Sequence, residues 1–462
     1  MKRRHGRLGR TVGVGLAVLA IASGRVGAHA GSIEAATSTP PVPTWFVVLT
    51  AGVVVGSSFL FTSLMADHEA LVWVNGLGLR GGVPARAVEL GTRIIQGLAV
   101  LALAGVVGVG VLGPSNPQAN AATLLVWVGW WGGFTMTTYL LGNAWPVVNP
   151  FRALASLLPD RPWFDYPERF GVWPAAAGVL LIVWLEVSTA VSANPAWLAG
   201  VVVGYVLVTA LGIVALGREL WFERVDPLTR IFRVYGHLAP VQRTADGIEL
   251  RLPAAALTDR PTTSIPGVPA FVVALLWSTT FDGLVSIPAF QAVATPVIRA
   301  GVPAPLLYLL VLVAGFWLFY AVYRLACRYS RTAADTYVTA GAIERWFAPS
   351  LIPIAAGYHL AHFLGYVVTL SPALVDALQA PLAAPPTVTL LLLPDWFGLV
   401  QLSFVLVGHL IAIWVAHSLA FELFPGVRQP IRSQYPMILV MIAYTMVSAW
   451  VIVSPATAVV LG

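Results

Sequence analysis

Ser350-Leu-Ile-Pro-Ile-Ala-Ala-Gly-Tyr-His-Leu-Ala-His-Phe-Leu-Gly-Tyr-Val-Val-Thr-Leu370 is apolar almost throughout, yet carries His359 and His362 near its centre. A run of about 20 apolar residues is the length of a helix that crosses a bilayer. Runs of this kind recur from end to end. Of the 462 residues, 58% are hydrophobic and 10% charged, against about 25% charged in an ordinary soluble domain. The pattern predicts an all-α, polytopic transmembrane helical bundle. Cys327 is the sole cysteine, so neither an internal disulfide nor a CxxC site can form. Lys2 is the only lysine and the arginines fall mostly at helix ends. The net charge of +6 therefore points to membrane topology and not to nucleic acid.

The N-terminus reads as an export signal over residues 1–30. Lys2, Arg3, Arg4, Arg7 and Arg10 precede the apolar stretch Thr11–Ser23, and Ala28-His29-Ala30 offers a small-residue cleavage site. A signal anchor is the alternative. Residues 31–43 form an external, Pro-rich lead-in. Ten spans follow, near 44–64, 89–113, 121–142, 171–190, 196–216, 267–286, 304–326, 350–371, 397–421 and 434–456. They divide into helices 1–5 (44–216) and helices 6–10 (267–462), joined by a cytoplasmic segment, 217–266. With residue 31 outside, the connections holding Arg80 and Arg86, Arg152–Arg169, Arg218–Arg260, Arg328–Arg345 and Arg428–Arg432 are all cytoplasmic; outside there is only Arg299. By the positive-inside rule the mature N- and C-termini both lie outside a prokaryotic plasma membrane.

Within 217–266, the alternation from Val241 to Leu252 with its Asp246-Gly247 turn reads as a small β-hairpin insertion. The segment is either a packed connector or a surface for a protein partner. The long external loop Ser371–Asp395 is either a lid or an ordinary surface loop. No internal repeat is visible, which counts against an inverted-repeat transporter.

Ionisable side chains deep in a membrane are rare and are functional candidates by default. His359 and His362, spaced i, i+3, share one helix face. They lie about 15–20 Å in from the cytoplasmic end of their span, and His409 lies about 18 Å in along the ninth. Two imidazoles one turn apart, with a third at matched depth, suggest a metal site of His359, His362 and His409. Structural hydrogen bonding between helices is the plainer alternative. Asp282, in the sixth span, could be a fourth ligand, a partner orienting a histidine, a base acting on bound water, or a structural acid. Glu186, near the outer end of the fourth span, reads mainly as structural. Tyr358, beside His359, and His417, two turns from His409 and rotated away from it, are supporting or relay candidates. Asn149 before Pro150 marks a helix start, giving a short amphipathic interfacial helix.

Four stretches carry a resemblance: Gly142-Asn-Ala-Trp-Pro-Val-Val-Asn-Pro-Phe-Arg152, Phe281-Asp-Gly-Leu284, Pro349-Ser-Leu-Ile-Pro-Ile-Ala-Ala-Gly-Tyr-His-Leu-Ala-His362 and Ser433-Gln-Tyr-Pro-Met437. In these the chain resembles polytopic prokaryotic membrane proteins labelled fenitrothion hydrolase. That family often has an acid after the second histidine of the ninth span, where this chain has Ser418 after His417. The resemblance implies membrane residence and hydrolysis of an organophosphate-type ester.

Four functions remain open from the residues. A metal-dependent hydrolase would hold a divalent ion such as zinc on the three histidines, use Asp282 as ligand or base, and act on an apolar small-molecule ester from the bilayer. A redox protein would use His409 with His359 or His362 as axial ligands of haem b, or bind copper. A proton or metal transporter would need polar groups at several depths along one route. A structural subunit would dock a partner on 217–266.

Overall fold

The computed structural model describes residues 43–460 apart from 66, 82–84, 245–246, 260–264, 395, 456 and 458. The expected signal and lead-in, the hairpin turn at Ala245-Asp246 and the side chain of Arg86 lie outside the described residues. The chain is overwhelmingly helical, as its apolar periodicity requires. We label the main helices α1 (Thr44–Ser63), α2 (Ala85–Leu112), α3 (residues 121–140), α4 (Trp173–Ser188), α5 (Pro195–Leu216), α6 (Val268–Val285), α7 (Ala304–Ala334), α8 (Ile352–Gln379), α9 (Phe397–Leu423) and α10 (Arg428–Val453).

Eight helical stretches among the described residues are long and apolar enough to cross a membrane. The sequence led us to expect ten. The difference lies in α3 and α4, which occupy the expected third and fourth positions. α4 is only 16 residues long, and α3 is divided into α-helical, π-helical (Leu125–Phe134) and α-helical segments.

Helix starts follow one recurring device. Asn194 and Asp226 stand immediately before Pro195 and Pro227 at helix starts, as Asn149 stands before Pro150. In each case the side chain accepts the first free backbone N–H groups, while proline fills a position whose N–H has no helical acceptor. Asn149 Oδ1, for example, accepts from Phe151 N at 2.9 Å and Arg152 N at 3.1 Å.

Burial separates centre from rim. The most apolar window of α6 is 83% buried and that of residues 340–379 is 78% buried, against 11% for α2 and 22% for α5. α6 and α8 are therefore the axis of the bundle, and α2 and α5 present most of their surface outward. α8 packs chiefly against α9, and α6 against α4. At the α8–α9 crossing an added Cβ on Gly357 would meet the Gly408 Cα at 3.0 Å and the Phe404 carbonyl oxygen at 2.6 Å. Only glycine allows so close a backbone approach.

The expected hairpin is present as two antiparallel strands, β2 (Val241–Thr244) and β3 (Gly247–Arg251), with Val241 opposite Leu250. A third strand, β1 (Gly78–Gly81), comes from the connection between α1 and α2 and pairs with the other edge of β3. Arg80 Nε donates to Glu249 Oε1 at 3.2 Å across that pair. The segment before the hairpin is packed connector. Its helix Pro227–Gly236 is buried almost throughout, with Phe232 against Trp145 (ring centroids 4.7 Å), Phe134 and Trp130.

Candidate functional site

The i, i+3 spacing does put His359 and His362 on α8 within one turn, but the two rings find different partners. His362 Nε2 stands 2.9 Å from Asp282 Oδ2 on α6. His359 Nδ1 shares a hydrogen bond of 3.1 Å with the Tyr139 hydroxyl on α3. The His359 ring lies in an aromatic cage of Phe363 (4.7 Å), Tyr139 (5.8 Å), Trp131 (6.0 Å) and Tyr235 (6.1 Å). Depths counted from the starts of the two helices differ by about one turn. His362 is about 15 Å beyond the start of α8, and Asp282 about 21 Å beyond the start of α6, at 1.5 Å per residue.

Glu186 joins this group. It is 3% exposed and lies within electrostatic reach of both Asp282 and His362. Tyr358 is fully buried, and its hydroxyl makes no hydrogen bond with the described residues. Gly283, the neighbour of Asp282, gives that hydroxyl room, since a Cβ there would come within 2.3 Å of it. Above α6, Thr457 Oγ1 donates to the Ser286 carbonyl at 3.0 Å and the Tyr308 hydroxyl to the Val460 carbonyl at 2.7 Å. Residues 457 and 460 thus close over the C-terminal end of that helix.

His409 matches the other histidines in depth without joining them. Its Nδ1 lies 2.8 Å from the Val405 carbonyl of its own helix. A carbonyl only accepts, so Nδ1 carries the proton and Nε2 of the neutral ring is a lone pair. That atom is buried with no hydrogen-bond partner among the described residues. His417 is fully engaged elsewhere. Its Nε2 lies 2.9 Å from the Met65 carbonyl and its Nδ1 lies 3.2 Å from Gln434 Nε2. It ties α9 to α10 and to the turn after α1, and neither nitrogen is left for a relay through His409. Glu422, beyond it, lies 3.8 Å from His68.

The three-histidine metal centre is thus not assembled. Among the described residues no group of three or more His, Cys, Asp or Glu side chains stands close enough to hold a metal ion. The physical reason is azimuth: His359 turns toward α3, His362 toward α6, and His409 back along α9. The same arrangement does not fit a haem between His409 and the α8 histidines, because α8 and α9 meet backbone to backbone at Gly357 and Gly408, beside them.

What the arrangement offers instead is a row of titratable groups. Tyr235 and Tyr139, with ring centroids 5.4 Å apart, lead to His359. His359 stands one turn before His362 on α8, His362 meets Asp282, and Glu186 lies within electrostatic reach of Asp282. Tyr139 and Tyr235 are members that sequence reasoning missed. The available signal was a tyrosine near the C-terminal end of an otherwise apolar helix; its pairing with a residue 220 positions away has no local signature. No protein-family model, curated protein or solved structure matches this chain, so the resemblance to fenitrothion hydrolase-like proteins rests on its short motifs.

Proposed function

We propose that this chain is a ten-helix protein of a prokaryotic plasma membrane, with both mature ends outside, that moves protons along its buried row. The observation that carries the reading is the alignment of Tyr139, His359, His362, Asp282 and Glu186 at successive positions on α3, α8, α6 and α4, with His362 and Asp282 at 2.9 Å. Each member can take and release a proton, and buried chains of acids and histidines are how membrane proteins relay them. Tyr139, near the cytoplasmic end of α3, receives the proton inside. Glu186, near the outer end of α4, exchanges it outside. Asp282 and His362 are the central exchange pair.

The test uses purified protein in liposomes with a pH-sensitive dye inside and a potassium diffusion potential as driving force. Wild-type protein should acidify or alkalinise the lumen according to the sign of the potential. Asp282→Asn and Glu186→Gln should reduce that flux at least tenfold with folding intact. Wild-type flux no greater than that of protein-free liposomes would end this reading.

One observation favours a second reading, hydrolysis of an apolar ester. The His362 side chain is 13% accessible and Asp282 only 7%. A partly reachable imidazole oriented by a buried carboxylate is the arrangement of a general base. This reading agrees with the family resemblance. It predicts turnover of an aryl phosphotriester or p-nitrophenyl ester in detergent, lost in His362→Ala, and no vectorial proton flux.

A further inference from the structure

Arg230 stands on the connector helix Pro227–Gly236 and is only 8% exposed. Arginine is almost never buried without a partner of opposite charge, because an uncompensated charge out of water is costly. Among the described residues no carboxylate lies within ion-pair distance of it. Its Nη1 donates to the Glu223 carbonyl oxygen at 3.5 Å, and its guanidinium carbon lies 5.8 Å from the centre of the Phe271 ring. Its Nε is buried with no hydrogen-bond partner among the described residues. A carbonyl and a ring orient the guanidinium but carry no formal negative charge.

The surroundings add positive charge. Arg224 and Arg233 both lie within electrostatic reach of Arg230, and Glu223 is the acid there. Arg233 follows Arg230 by three residues, so the two share a helix face, where like charges repel. Arg224 and Glu223 belong to the π-helical turn Trp221–Val225, which runs into the N-cap Asp226; π-turns are rare and concentrate at functional positions. Arg230 is the fourth residue of its helix, near the end where the backbone presents its positive pole. Burial and the neighbouring arginines hold its pKa down to about 10, so it stays charged at neutral pH. Three guanidinium groups against one carboxylate leave an excess of two positive charges.

We propose that Arg224, Arg230 and Arg233 form a binding site for a doubly charged phosphate group, that of inorganic phosphate or of a phosphate monoester, including the headgroup of a phosphatidate lipid. The guanidinium fork matches phosphate oxygens two at a time. A phosphate monoester carries about −1.5 to −2 at neutral pH, which balances the excess. A carboxylate or a phosphodiester headgroup brings a single charge and leaves half of it unbalanced. The cluster is reachable from the surface. Arg224 and Arg233 are half-buried and make no ion pair among the described residues. Nη2 of Arg230 is neither hydrogen-bonded among the described residues nor fully enclosed.

The experiment uses the full chain in detergent, in phosphate-free buffer, titrated calorimetrically with inorganic phosphate and separately with acetate. In parallel, the chain is placed in phosphatidylcholine nanodiscs containing phosphatidate or phosphatidylglycerol, and the lipid it retains is counted by native mass spectrometry. The proposal expects one phosphate or one phosphatidate per chain, in preference to acetate and to phosphatidylglycerol. Binding should weaken about tenfold in each of Arg224→Gln, Arg230→Gln and Arg233→Gln, through loss of a charge-assisted hydrogen bond or of its field. It should be unchanged in Arg331→Gln, an exposed arginine of α7. Should Arg230→Gln fail to fold, the two half-buried positions carry the test, with monodispersity and melting temperature as the check. Uptake of inorganic phosphate assigns the site to a soluble ligand; retention of phosphatidate without it assigns the site to lipid. Binding of neither, binding equal in all four variants, or acetate bound as tightly as phosphate would overturn the proposal. No readout depends on proton flux, so failure here is distinct from failure of the proton-relay reading.

Discussion

His362 on α8 and Asp282 on α6 face each other at 2.9 Å inside the two most buried helices of the bundle. A carboxylate and an imidazole at such depth are tolerable only together. Removing either one leaves its partner desolvated, and breaking a buried pair in this way costs about 3–5 kcal/mol, whereas replacing both by apolar groups can be close to neutral.

Asp282→Leu and His362→Leu should therefore each lower stability in detergent by about 3–5 kcal/mol, and the double variant should recover much of the loss. Thermal unfolding of the four proteins in one detergent gives the coupling energy. Additive losses would show that the two side chains do not interact.

The helical, apolar character of the chain and the order of its long helices were legible because hydropathy is a one-dimensional signal. Depth is also one-dimensional, and here it misled for His409, which lies level with the others but turns its Nδ1 to Val405 on its own helix. Which way a ring points depends on where α9 crosses α8, and that is fixed by Gly357 and Gly408, more than 50 positions apart in the chain. β1 was hidden for a similar reason. Gly78–Gly81 is too short to declare itself a strand and becomes one only because β3 offers an edge.

Tyr139→Phe tests the α3 end of the row. It removes one buried hydroxyl and leaves His359 Nδ1 without its 3.1 Å partner. A loss of about 1–3 kcal/mol in stability is expected, since the remaining group is buried. Proton flux in liposomes should fall with it. Tyr139→Phe with full flux would move the entry point to another residue.

Gly357→Ala places a methyl group 2.6 Å from the Phe404 carbonyl oxygen. Backbone cannot give way as a flexible side chain can, so α8 and α9 must separate, at about 1–3 kcal/mol. Gly97→Ala on α2 is the control. Nothing lies within 4 Å of its added Cβ, and alanine should stabilise the helix there by up to about 1 kcal/mol. Opposite shifts in melting temperature check the pair.

Asp226, in the segment between α5 and α6, makes stability depend on pH. Burial raises its carboxyl pKa above the ordinary value, and the hydrogen bonds from Thr229 and Tyr205 only partly offset that. A folded-state pKa above the unfolded one, about 3.9, means that the folded protein binds the proton more tightly. The contribution to stability is fully present below the unfolded value and is lost as pH rises through the folded one. Asp226→Asn is uncharged at every pH and still offers one acceptor to the N–H of Thr229. The variant should be less stable than wild type at the acid end of that window, through loss of an acceptor, and the difference should shrink or reverse as pH rises above it. Melting curves of both proteins from pH 4 upward measure this; parallel curves would show that Asp226 titrates alike folded and unfolded.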